Sequence, residues 1–132
     1  MAKNFTVDEA NKTLPLVRRI VTDIVATHRS LVERLDQLRS LESEGRPGSR
    51  RRQLEKEIEE LAETANRFIA ELDAIGALFK GFEEGLVDFY STLDGRPVFL
   101  CWKLGEESIE WWHELDAGYV GRRPLPAHLL NA

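Results

Sequence analysis

Leu86-Val87-Asp88-Phe89-Tyr90, Asp94-Gly95, Val98-Phe99-Leu100-Cys101-Trp102 and Ile109-Glu110-Trp111-Trp112-His113 follow one another in the second half of the chain. Short β-branched and aromatic runs divided by turn residues predict a three-stranded antiparallel meander. Asp94-Gly95 is the sharpest hairpin signal, because a two-residue type I′ turn needs positive φ at both central positions. With these two in the turn, Leu93 faces Arg96, and the pairing runs outward to set Tyr90 opposite Phe99 and Asp88 opposite Cys101. Asp88 and Cys101 then share a face. The next connection, Leu104-Gly105-Glu106-Glu107-Ser108, leaves its register open. A loop of odd length puts His113 on the face of Asp88 and Cys101; a loop of even length puts Trp112 there instead.

Upstream of the meander the period changes from two to between three and four. Thr6 reads as an N-cap, with Glu9 three residues on closing a capping box and Phe5 placed to staple against Ala10. Pro15 lacks an N–H, which predicts a short first helix to about Thr13 and a restart with Pro15 in its first turn. Val17, Ile20, Val21, Ile24, Leu31, Leu35, Leu38 and Leu41 then form one apolar stripe. Glu44-Gly45-Arg46-Pro47-Gly48-Ser49 breaks it, and Leu54, Ile58, Leu61, Ala65, Phe68, Leu72 and Ile75 restart the same period. Two helices with so short a link pack antiparallel, and Gly76 is placed as their C-terminal capping residue. His28, on the stripe, reads as a register-setting polar interruption, and Arg50, Arg51 and Arg52 as a solvated helix start.

The expected fold is therefore α+β: a long antiparallel helical hairpin, with a short N-terminal helix, packed on the meander. At 132 residues and 15.1 kDa the chain has the size of a single domain. Residues 1–76 form the hairpin, 77–118 the meander and 119–132 an extended tail. Cys101 is the only cysteine, which excludes an intramolecular disulfide. No run approaches the roughly 18 apolar residues of a membrane span, and the first residues lack the apolar segment of a secretory signal, so a cytoplasmic address is expected. A net charge of −5 argues against a sequence-independent grip on nucleic acid. The hairpin has two sides and the sheet covers part of one, so a homodimer through the helices is expected.

Charge is divided unevenly along the chain. Residues 1–80 carry 14 acidic and 14 basic side chains, whereas residues 81–118 carry 9 acidic and 2 basic. The same region holds all three tryptophans and the cysteine. Carboxylates gathered among aromatics with few cations invite a bound cation or a raised pKa. In the odd register, Asp88, Cys101 and His113 combine a carboxylate, a thiolate and an imidazole, and Glu106, Glu114 or Asp116 is near enough to complete four ligands. Zinc or iron would suit such a set. A purely structural role competes with it, since a lone cysteine in a strand is commonly a small buried hydrophobe. Trp111 and Trp112 point to opposite faces, so both are covered only if a ligand, the tail or a partner covers the second face. Phosphate loops, nucleophile elbows and dinucleotide fingerprints are missing from the sequence.

Gly85-Leu86-Val87-Asp88-Phe89, Leu100-Cys101-Trp102-Lys103-Leu104-Gly105-Glu106 and Trp112-His113-Glu114-Leu115-Asp116-Ala117-Gly118-Tyr119, continuing to Gly121-Arg122, resemble an uncharacterised bacterial family, domain of unknown function 2203. Phe5-Thr6, Ala10-Asn11 and Leu14-Pro15 fit its N-terminal signature, while Gly81 and Tyr90 depart from its common pattern. The resemblance implies a small bacterial α+β protein with no established activity. Its motif residues fall on Asp88, Cys101, Trp102, Glu106, Trp112, His113, Glu114, Asp116 and Arg122.

Three functions compete on these residues. The first is a binding protein, with Asp88, Cys101, His113 and Asp116 as metal ligands and Trp102, Trp112 and Arg122 lining a ligand site. The second is a helical scaffold that recruits partners. The third is a metal-dependent enzyme with Glu106 or Glu114 as general base beside a metal-bound water.

Overall fold

The computed structural model describes residues 3–45 and 48–130. Arg46 and Pro47 of the expected breaker cluster lie outside the described residues. Helix α1 spans Val7–Ser43 and helix α2 spans Ser49–Ile75. The capping box forms as the sequence indicates: the Glu9 N–H donates to Thr6 Oγ1 at 3.0 Å and the Thr6 N–H donates to Glu9 Oε1 at 2.8 Å. Those bonds to Thr6 hold the Glu9 carboxyl below its ordinary pKa.

The expected restart at Pro15 does not occur. Pro15 sits inside one continuous α1, with its ring on the exposed side. A proline in a helix interior costs roughly 3 kcal/mol. Leu14, Val17, Ile20, Val21 and Ile24 are all buried around it, and burying several aliphatic side chains at about 1.5–3 kcal/mol each outweighs that penalty.

The helices pack on an antiparallel sheet of five strands rather than three. Its strands β1 (Leu78–Gly81), β2 (Leu86–Leu93), β3 (Arg96–Lys103), β4 (Trp111–Glu114) and β5 (Arg123–Pro124) are ordered as in the chain. The meander expected from the sequence is the middle three. A 3₁₀ turn at Tyr119–Gly121 precedes β5, and a short helix α3 (Ala127–Leu130) follows it, so the segment after residue 118 is not simply extended. Among the described residues no helix is long and apolar enough to cross a membrane.

Val87, Phe89, Leu100 and Trp102 on one sheet face meet Val17, Val21 and Ile24 of α1 and Leu72 of α2 in the core. Phe5 enters this core edge-on to Phe89, with ring centroids 5.1 Å apart. Its main chain is clipped to β2: the Phe5 N–H donates to the Tyr90 carbonyl at 2.7 Å, and Ser91 Oγ donates to the Phe5 carbonyl at 2.6 Å. Gly76 ends α2 at φ 101°, and a Cβ there would stand 2.9 Å from the Phe5 ring. Only glycine meets both the left-handed backbone and that approach. No residue of α1 beyond Val25 is buried, so the far half of the hairpin projects past the sheet.

Candidate metal centre

Asp94 and Gly95 adopt φ 51° and 76°, the positive angles that a type I′ turn requires. Asp88 accordingly pairs with Cys101 across β2 and β3. Between β3 and β4, Phe99 pairs with His113 and Cys101 with Trp111, which is the odd register. The connecting loop is pinned from several sides. Trp102 Nε1 donates to the Glu106 carbonyl at 2.9 Å, the Lys103 N–H donates to Glu106 Oε1 at 2.7 Å, and the Ile109 N–H donates to Asn11 Oδ1 of α1 at 2.7 Å.

Asp88, Cys101 and His113 therefore meet on the sheet face turned away from the helices. Each is almost fully buried, and one ligand atom from each lies within 4.8 Å of the others. A tetrahedral centre with bonds of about 2.0–2.3 Å sets its donors roughly 3.3–3.8 Å apart, so small side-chain shifts bring the trio to bonding distance. His113 Nδ1 lies 2.7 Å from the Glu114 carbonyl, which only accepts, so Nδ1 carries the proton and donates. Nε2 then points at Asp88 Oδ1, 3.1 Å away. Carbonyl-anchored Nδ1 with Nε2 turned inward is how metal-ligating histidines are commonly oriented.

Burial pushes the Asp88 carboxyl above its ordinary pKa, against the pull of His113 and of Lys80, whose Nζ lies 4.0 Å from Oδ2. Burial, reinforced by the negative charge of Asp88, pushes the Cys101 thiol up to about 12. Arg122 opposes that rise through a hydrogen bond to the sulfur. Its guanidinium also grips Glu106 through both oxygens, at 3.1 and 2.7 Å, and lies 4.5 Å from the Trp111 ring centroid and 4.7 Å from that of Tyr119. The tail thus covers Trp111 on the second face. Beside the trio is a cavity of about 270 Å³ whose walls include Lys80, Leu86, Phe99, Leu115 and Tyr119.

The profile of a family described as an uncharacterized conserved protein, DUF2203, matches residues 3–125. The chain belongs to this family. No curated protein and no solved structure matches it.

In this DUF2203 chain the other sequence candidates are dispersed. Asp116 is exposed in the turn after β4, outside the trio. Glu106 has both oxygens engaged by Arg122 and the Lys103 N–H, so it braces the loop. Glu114 points to the opposite face, where Arg96 Nη2 holds it at 2.9 Å. Trp102 is fully buried in the core beneath the helices. Trp112 lies on that same face, flanked by Arg96 and Arg123 with guanidinium carbons 5.6 and 5.5 Å from its ring centroid. It lines a separate cavity of about 460 Å³ with Thr92, Arg96 and His128. The sequence reading missed Lys80, on the unrecognised β1, and Tyr119, which stood in a quoted motif without an assigned role.

Proposed function

We propose that this DUF2203 protein binds a divalent transition-metal ion, zinc or iron, through the Asp88 carboxylate, the Cys101 thiolate and His113 Nε2. The observation that carries this reading is the commitment of His113 Nδ1 to the Glu114 carbonyl, which turns Nε2 toward Asp88 in a buried pocket that also holds Cys101. Without a cation, one proton must lie between Nε2 and Oδ1 for the contact to be attractive. A metal ion would replace that proton and the thiol proton of Cys101. Three protein donors beside a cavity leave a fourth position for water or a ligand, as in catalytic rather than structural zinc sites.

Elemental analysis of protein purified without a histidine tag tests the proposal. About one equivalent of zinc or iron per chain supports it, together with loss of that metal in Cys101→Ser. Metal-free protein whose stability is unchanged by added zinc or iron overturns it and leaves the trio as a polar network within a scaffold.

The homodimer is a second proposal. Leu16, Val32 and Leu35 of α1 are 41%, 40% and 39% exposed, which favours a partner for the hairpin over an unpaired helical surface. Sedimentation equilibrium giving a 15.1 kDa mass at micromolar concentration would rule it out.

A further inference from the structure

We infer that the fourth coordination position takes a small monocarboxylate with an apolar body, its charge matched by Lys80. This rests on the metal reading above. Charge comes first: a divalent ion is neutralised by Asp88 and the Cys101 thiolate, His113 adds none, and Glu106 cancels Arg122 at 2.7 Å. Lys80 remains, with Nζ 4.0 Å from Asp88 Oδ2 and 4.8 Å from the Phe99 ring centroid, so its ammonium stands over the pocket. Lys103, with Nζ 3.4 Å from the Tyr119 hydroxyl on the pocket wall, adds a second cation. The loaded site then carries net positive charge, and an anion lowers it where a neutral ligand does not.

The walls select the rest of the ligand. Leu86, Phe99 and Leu115 are apolar, and the cavity volume is about 270 Å³. That is just below the usual range for drug-sized ligands and far larger than a hydroxide needs. The Tyr119 hydroxyl accepts from Lys103 Nζ at 3.4 Å, which leaves its own proton free to donate. One carboxylate oxygen on the metal and the other near the Lys80 ammonium place the carbon chain against the leucines and Phe99.

Cobalt(II)-loaded protein provides the test, since its visible ligand-field bands respond to the fourth ligand and its thiolate charge-transfer band reports Cys101. Isobutyrate should change the ligand-field bands saturably, whereas isobutyramide, the same shape without the charge, should not at equal concentration. Lys80→Met, at a side chain 44% exposed, should still bind one equivalent of cobalt and lose roughly tenfold in isobutyrate affinity. Cobalt binding with a thiolate band but no response to isobutyrate overturns this inference and leaves the metal site standing. Equal isobutyrate affinity in Lys80→Met overturns the role of Lys80. Protein that takes up no cobalt removes both readings together.

Discussion

His113 Nε2 lies 3.1 Å from Asp88 Oδ1, across the whole width of β3 and 25 residues apart in the chain. Neither strand touches the other; β3 separates β2 from β4. The contact is therefore a diagonal side-chain bridge over β3, from the partner of Cys101 to the partner of Phe99.

His113→Ala should remove the metal and also unbalance the buried partner. With the imidazole gone, Asp88 keeps only the Cys101 thiol and the more distant Lys80 ammonium, and breaking a buried pair costs about 3 kcal/mol. Urea unfolding of the metal-free variant measures that loss, and elemental analysis measures the other. A folded His113→Ala variant with a full metal complement would refute His113 as a ligand.

Arg122 should behave as a brace. Arg122→Ala leaves Glu106 without its two-oxygen partner at a site where both side chains are mostly buried, 12% and 16% exposed. A loss of about 2–3 kcal/mol is expected, with a change in tryptophan fluorescence as Trp111 loses its cover. Arg122→Lys should recover less than half, because an ammonium offers no planar fork. Full recovery by lysine would show that charge alone matters.

Alkaline pH should weaken the metal-free fold. The Cys101 thiol is raised from 9.0 to about 12 in the folded chain, so between these values the folded state keeps a proton that the unfolded state releases. Stability is then full below about pH 9 and is lost as pH rises toward 12. Cys101→Ala should flatten this limb of the stability curve, as followed by thermal unfolding. Metal binding has the opposite dependence. It must displace protons, so affinity should fall about tenfold per pH unit of acidification for each proton released.

Pro15→Ala should stabilise the protein by about 1–3 kcal/mol. The ring is exposed and the helix is continuous through it, so alanine restores an N–H donor and relieves the clash without touching the core. Denaturant unfolding measures the gain. A loss on substitution would mean that Pro15 itself contributes to the native packing of α1.

The Asp88 and Cys101 pairing was legible because two residues, Asp94 and Gly95, fix a hairpin register by themselves. His113 was not, since the parity of the second loop depends on Asn11 of α1, 98 residues from its partner Ile109, and on Glu106 folding back to the Lys103 N–H. Long-range ties of that kind leave no local pattern. The continuous α1 was hidden for a related reason: the local preference of Pro15 is overridden by burial on both sides of it. Strands β1 and β5 escaped because they have four and two residues, too few for an alternation to show. Trp102 looked like a platform because an indole serves a core and a ligand site equally well until its neighbours are known.

The clip between Phe5 and Tyr90-Ser91 sets an order of events during synthesis. At roughly 5–20 residues per second, Tyr90 is made about 4–17 s after Phe5. During that interval α2 can emerge and pair with α1, but the stripe of Val17, Val21 and Ile24 has no sheet to lie on. The nascent hairpin must carry it bare until β2 leaves the ribosome, which is when protection by a chaperone would matter most. A tag close to Phe5 would act at the same moment, slowing the docking of the N-terminal segment while leaving the helices themselves intact.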